Sequence, residues 1–235
     1  MTQDKLTIGV LALQGAFLEH VQHLEKARSK VGVDYAVLEV RTVEELAQCQ
    51  ALVIPGGEST SISLVAERSE LLEPLRDFVK KDKKPVWGTC AGMILLAEEA
   101  TRTKKDGQEL IGGLDVRVAR NHFGRQTDSF IMKLPMPFLK DQTPFPCVFI
   151  RAPIVEAIIS KDSHQTTESN VRAPTVGKPS SDEVKVLGTI PADKAKDGEE
   201  KIIAVQQGNV FGISFHPELS ADTSIHEWWV NTCVL

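Results

Sequence analysis

The sequence predicts an α/β fold, a single domain whose mostly parallel central sheet is flanked by helices, with additional strands in the second half. Three observations carry this. Short apolar runs alternate with helically spaced segments through the first hundred residues. The runs are apolar throughout rather than every second residue, as strands covered on both faces are. Several of them end abruptly in glycine-containing turns, where the open sheets of this class bind their ligands.

The elements follow in order. Residues 6–13 form an apolar strand ending at Gln14-Gly15. Phe17, Val21, Leu24 and Ala27 then recur at helical spacing and predict a helix over 17–31. Strands are expected at 35–40 and 51–54, the second stopped by Pro55-Gly56-Gly57. Helices are expected at 61–67 and 71–81, a short strand at 85–88 and a helix at 91–100. The second half is richer in strands, at 114–118, 129–134, 147–150, 155–159, 184–190, 202–206 and 210–214, and a helix over 224–230 closes the chain. Residues 160–183 are polar, with almost no aromatics, and read as an exposed loop insertion. With no internal repeat and no linker, residues 1–235 are taken as one domain.

Composition narrows the function. At 235 residues the chain can bury an ordinary core without disulfides or a structural metal. A net charge of −5 argues against nucleic acid, whose partners usually carry a clustered basic face. No apolar run reaches membrane-spanning length, and the polar start carries no signal peptide, so a cytoplasmic location is the expectation. Cys49, Cys90, Cys147 and Cys233 are widely separated, without the paired spacing of a disulfide framework or zinc site.

Cys90 stands apart from the other three. Gly88-Thr89-Cys90-Ala91-Gly92 has the form of a nucleophile elbow, in which glycines permit a sharp strand-to-helix turn that presents the central side chain. A thiol there gains from the helix N-terminus, and the Ala91 N–H can face a developing oxyanion. In His216-Pro217-Glu218, extended backbone would project His216 and Glu218 to one side. Glu218 can then hold the imidazole in the tautomer that takes a proton from Cys90. In Pro55-Gly56-Gly57-Glu58-Ser59 the glycines let backbone N–H groups approach a substrate carbonyl. The blander readings are a core cysteine, a strand end and a helix cap.

In this order PGGES, GTCAG and FHPE resemble the triad class (class I) of glutamine amidotransferases. The segments Leu13-Gln14-Gly15-Ala16-Phe17 with Glu19-His20, residues 120–126 (RNHFGRQ) and residues 149–153 (FIRAP) resemble the glutaminase subunit of pyridoxal phosphate synthase. That resemblance implies Cys90 as nucleophile with His216 and Glu218 as its relay. It puts glutamine against Gly56, Gly57, Glu58, Arg120, Ile150 and Arg151, with Gln14 supporting an oxyanion hole at Gly57 and Ala91. An arginine at the pocket suits the α-carboxylate of glutamine, which a guanidinium binds through two parallel hydrogen bonds.

The reaction expected is hydrolysis of L-glutamine through a γ-glutamyl thioester, without metal or organic cofactor. Ammonia is mostly protonated near neutral pH, and no second active site is visible, so a separate acceptor subunit is implied. By resemblance this is the barrel-shaped subunit of the synthase, in a hetero-oligomer whose assembly completes the oxyanion hole. Other readings are a glutaminase subunit for another pathway such as histidine biosynthesis, a non-catalytic scaffold, or a cysteine hydrolase of another substrate. Among the remaining histidines, His20 and His23 lack a third metal ligand and are expected at the surface or a partner contact. His122 is expected to line the site, and His164 and His226 to face solvent.

Overall fold

The computed structural model describes residues 6–101, 108–120, 129–141, 143–159, 170–176 and 180–235. Strands β1 (Thr7–Leu11), β2 (Ala36–Val40), β3 (Ala51–Ile54) and β4 (Val86–Thr89) are joined by parallel pairings. Between them lie α1 (Phe17–Val31), α2 (Val43–Ala47), α3 (Ser59–Arg68) and α4 (Leu72–Lys80). Helix α5 (Ala91–Leu96) follows β4, and β5 (Ala97–Thr101) and β6 (Leu114–Ala119) form a second parallel pair. The chain continues through β7 (Ser129–Leu134), β8 (Phe145–Ile150), β9 (Ile154–Ile158), β10 (Asn170–Arg172), β11 (Lys185–Ile190), β12 (Lys201–Gln207) and β13 (Val210–Ile213). Helix α6 (Ser224–Trp229) runs on into a π-helical turn, Val230–Val234.

The main sheet has the order β10-β5-β6-β9-β12-β13-β4-β3-β1-β2, with β11 paired to β12, while β7 and β8 form a separate antiparallel pair. Successive strand residues point to opposite faces, and both faces are buried. Leu11, Leu52, Ile54, Val86 and Val210 pack into the core shared with α3, α4 and α5. Ile8, Val10, Val53, Trp87 and Phe211 pack into the other, with Leu24 of α1, Trp229 of α6 and Phe149 of β8. Among the described residues, no helix is long and apolar enough to cross a membrane.

One local expectation needs correction, and two further features were not anticipated. The helix expected over 91–100 stops at Leu96, because Ala97 turns extended and 97–101 pair with β6 and β10. The sequence AEEAT favours helix, but sheet pairing and an ion pair outweigh propensity: buried Glu99 meets the Arg117 guanidinium at 2.9 Å. A helix not anticipated, α2, opens on a capping box in which Thr42 and Glu45 satisfy each other's backbone N–H groups. Of the polar stretch 160–183, residues 160–169 and 177–179 lie outside the described residues, while Asn170–Arg172 form the outermost strand on β5.

Candidate active site

Four parallel neighbours deliver the site. In β13-β4-β3-β1 the register sets Ile213 beside Thr89, Gly88 beside Ile54 and Val53 beside Val10. The chain therefore leaves one sheet edge as His216, Cys90, Gly56-Gly57 and Gln14, from four distant parts of the sequence. Cys90 makes the sharpest exit, at φ 48° and ψ −103°. Such a conformation costs an L-residue about 1–3 kcal/mol. It is held because the Cys90 N–H donates to the Ile213 carbonyl at 2.8 Å. Glycines make the elbow tight: a Cβ on Gly92 would stand 2.1 Å from the Ile54 carbonyl oxygen, and one on Gly88 2.5 Å from the Gly92 carbonyl carbon.

The His216 N–H donates to the Val148 carbonyl at 2.8 Å, fixing the loop that follows β13 against β8. Its Nδ1 lies 2.7 Å from Glu218 Oε1, and the ring lies within electrostatic reach of Cys90. The two side chains meet for a reason other than the extended backbone expected, because Pro217–Leu219 is a 3-10 turn that folds Glu218 back under the imidazole. Burial opposes a charged His216 ring, but its interactions with Cys90 and with the Glu218 carboxylate outweigh it and raise its pKa to about 10. Burial likewise pushes the Glu218 carboxyl up, whereas His20 and His216 beside it hold it well below the usual carboxylate range. His216 therefore carries the proton, and Glu218 stays ionised. Burial pushes the thiols of Cys49, Cys147 and Cys233 up, to about 11 for Cys49 and about 12 for Cys233, so these three remain protonated.

The glycine turn lies directly over this trio. A Cβ on Gly56 would stand 2.2 Å from His216 Cε1 and 3.3 Å from Cys90 Cβ. The turn is braced from β1: the Glu58 N–H donates to Gln14 Oε1 at 2.8 Å, and the Ala16 N–H to the Gly56 carbonyl at 3.0 Å. Ala91, buried, opens α5 beside the thiol. Arg120 follows β6, its N–H donating to Thr101 Oγ1 at 3.1 Å. Burial lowers the pKa of its guanidinium while the charge of Glu58 raises it, so the two lie within electrostatic reach. Ile150 ends β8, and Arg151 follows it at φ 45°. The Val148 contact to His216 brings this segment to the same edge. His122 and the rest of 121–126 lie outside the described residues, as does His164.

Two histidine expectations are overturned. His20 and His23 are not at the surface but 0% and 5% exposed, and His226 does not face solvent but is fully buried. His20 Nδ1 lies 3.0 Å from His226 Nε2, and its Nε2 lies 3.2 Å from Thr89 Oγ1 and 3.3 Å from Glu218 Oε2. The signal was present, since His20 falls on the helical stripe of Phe17, Leu24 and Ala27. Among the described residues, no group of three or more His, Cys, Asp and Glu side chains could hold a metal ion.

A strained cysteine at a strand-to-helix elbow, within electrostatic reach of an imidazole that a buried carboxylate orients, can attack an acyl carbon. Comparison with known proteins narrows the acyl group. The SNO glutamine amidotransferase family model matches residues 10–170 and 164–235. The chain belongs to this family. It is 40% identical to pyridoxal 5'-phosphate synthase subunit SNO1 of Saccharomyces cerevisiae, over 97% of this chain and 92% of that one. It is 42% identical to the probable subunit PDX2 of Arabidopsis thaliana (96% and 85% covered). To the PdxT subunit of Pyrococcus furiosus it is 37% identical (97% and 98%). A crystal structure of a glutamine amidotransferase superposes with a TM-score of 0.70 at 32% identity, covering 97% of this chain and 99% of that one.

Proposed function

We propose that this chain is the glutaminase subunit of a pyridoxal 5'-phosphate synthase. It hydrolyses L-glutamine to L-glutamate and ammonia in the cytoplasm and passes the ammonia to a separate acceptor subunit for vitamin B6 synthesis. The observation that carries the reading is the Cys90–His216–Glu218 trio beneath the Gly56-Gly57 turn, in a chain whose relatives are named as subunits of that synthase.

The Cys90 sulfur, its proton held by His216, attacks the side-chain amide carbon of glutamine. The carbonyl π pair moves onto oxygen, which backbone donors at Gly57 and Ala91 stabilise. His216 gives its proton to the amide nitrogen, the C–N bond breaks, and ammonia leaves a γ-glutamyl thioester. Water then attacks the thioester, His216 takes its proton, and the C–S bond breaks to release glutamate. Glu218 keeps the imidazole in the tautomer that both steps need. Glu58, Arg120, Ile150 and Arg151 hold the substrate, with Arg120 or Arg151 on its α-carboxylate. Gln14 braces the turn that carries the Gly57 donor. No step calls for a metal or organic cofactor.

The test measures glutamate release with and without the synthase subunit, in wild type and Cys90→Ala. Activity should rise with the partner and disappear in the variant. Partner-stimulated activity that survives Cys90→Ala would refute the assignment.

A further inference from the structure

We propose that His20 is a positioning residue that completes the trio, holding the outer oxygen of Glu218 and the residue preceding Cys90 through one ring nitrogen. The inference rests on the glutaminase reading above and deepens it.

Glu218 has two carboxylate oxygens to satisfy in a site from which water is excluded. Oε1 is taken by His216 Nδ1 at 2.7 Å. Oε2 is buried and accepts no well-aligned hydrogen bond, and His20 Nε2 stands 3.3 Å from it, with both side chains 0% exposed. A buried carboxylate oxygen without a donor costs several-fold more than an exposed one, so the approach of this ring has energetic weight. The same Nε2 lies 3.2 Å from the hydroxyl of Thr89, which immediately precedes Cys90.

The tautomer follows from the surroundings. A lone pair on Nε2 would face the lone pairs of Glu218, so Nε2 carries the proton, directed at Thr89 Oγ1 with the Glu218 Oε2 charge 3.3 Å away. His20 Nδ1 then accepts from His226 Nε2–H at 3.0 Å. His226 is fully buried and held neutral by that burial, so it has one proton to give and its Nδ1 is left bare. The chain of donors runs one way, from His226 to His20 to Thr89, and brings the His20 N–H beside the Glu218 carboxylate. The charged and titratable groups around it are His23 and Lys26 on α1, Asp222 before α6, His226 on α6, and His216 with Glu218 in the turn after β13. From β4 the Trp87 ring meets His20 edge-on at 5.4 Å.

Glutamate release with the synthase subunit present is measured for His20→Gln, whose amide reaches the Nε2 position, and for His20→Asn, whose amide reaches only the Nδ1 position. In His20→Asn kcat should fall about 10- to 100-fold, the range for losing a group that orients a catalytic one. KM should stay within about twofold, the pattern of an interaction realised in the transition state. The acid limb of its kcat profile should move to higher pH, because Glu218 loses the N–H beside its ionised form. His20→Gln should recover kcat to within about threefold of wild type, with the acid limb restored. Equal loss in both variants with an unmoved acid limb would mean a packing role and overturn the proposal.

Nitrogen-detected NMR of the wild-type rings tests it without a substitution: an Nε2–H tautomer at His20 is expected, and an Nδ1–H tautomer overturns it. Cys90→Ala runs alongside. If that variant is active, the glutaminase reading fails. If it is inactive while His20→Asn matches wild type in kcat and pH profile, only the role of His20 fails.

Discussion

Replacing Gly56 by alanine adds a single methyl group where the structure has no room for it. The new Cβ would lie 2.2 Å from His216 Cε1, 2.8 Å from His216 Nδ1 and 3.3 Å from Cys90 Cβ. Ordinary contact begins at 3.4 Å, so the turn and the imidazole must separate by about 1.2 Å. His216 cannot yield easily, because its backbone is tied to Val148 and its ring to Glu218. The turn is braced by Gln14 and Ala16. Whichever gives way, either His216, the proposed base, or Gly57, the proposed oxyanion donor, leaves its place. A misplacement of about 1 Å costs on the order of 100-fold in rate, or about 2.7 kcal/mol of barrier. Partner-stimulated glutamate release should therefore fall about 100-fold in kcat, while the melting temperature drops by no more than a few degrees. Activity within threefold of wild type would refute the close approach of the turn to the base, and with it the position assigned to the oxyanion.

Glu218→Gln keeps the shape and removes the charge, so kcat should fall about 10³- to 10⁴-fold with little change in KM, read from initial rates across glutamine concentrations. Arg120→Ala should raise KM for glutamine about 10- to 100-fold, the worth of charge-assisted hydrogen bonds to a carboxylate, and change kcat less. Gly92→Ala sets a Cβ 2.1 Å from the Ile54 carbonyl oxygen, backbone against backbone, and should lower the melting temperature by about 5–10 °C or prevent folding. Burial pushes the pKa of His226 well below 6.5, so below that pH the unfolded chain takes up a proton that the folded chain refuses. Its contribution to stability is thus present above pH 6.5 and lost on acidification. Glu218, depressed from 4.5, adds a second loss as pH falls further. Thermal melts from pH 7 to pH 5 should decline in wild type and decline less steeply in His226→Gln.

The parallel half of the fold was legible because its strands are apolar on both faces and stop at glycine turns. Residues 51–54 and 17–31 have the bounds their patterns predict. Cys90, Gly56 and His216 were legible for a related reason, since each follows one of those strand ends and the parallel register carries them to one edge. What escaped was decided by contacts remote in sequence. Ala97–Thr101 has a helical composition, and only its neighbours β6 and β10 make it a strand. His226 reads as a polar residue on a terminal helix, yet it packs between α1 and Trp87, its ring centroid 4.8 Å from that of Trp87. The capping box of Thr42 and Glu45 was in plain view, but five residues of helix leave too short a period to notice.

The proposed roles divide the labour of the site between two parts of the sheet. Cys90, His216, Gly56-Gly57 and Gln14 all come from the parallel strands β13, β4, β3 and β1, where carbonyl contacts of 2.8 Å and missing Cβ atoms leave no slack. Arg120, Ile150 and Arg151 come from the ends of β6 and β8, which lie beyond β9 and β12 or outside the main sheet altogether. Chemistry that depends on alignment within about 0.5 Å belongs on the rigid part. Substrate recognition tolerates more play, because a guanidinium reaches its carboxylate over several rotamers. Substitutions on the parallel strands should accordingly act on kcat and those at the β6 and β8 ends on KM. Gly56→Ala and Arg120→Ala, assayed side by side, measure that division directly. If Arg120→Ala, like Gly56→Ala, lowers kcat and leaves KM unchanged, the substrate is held by the parallel edge and Arg120 has no part in binding it.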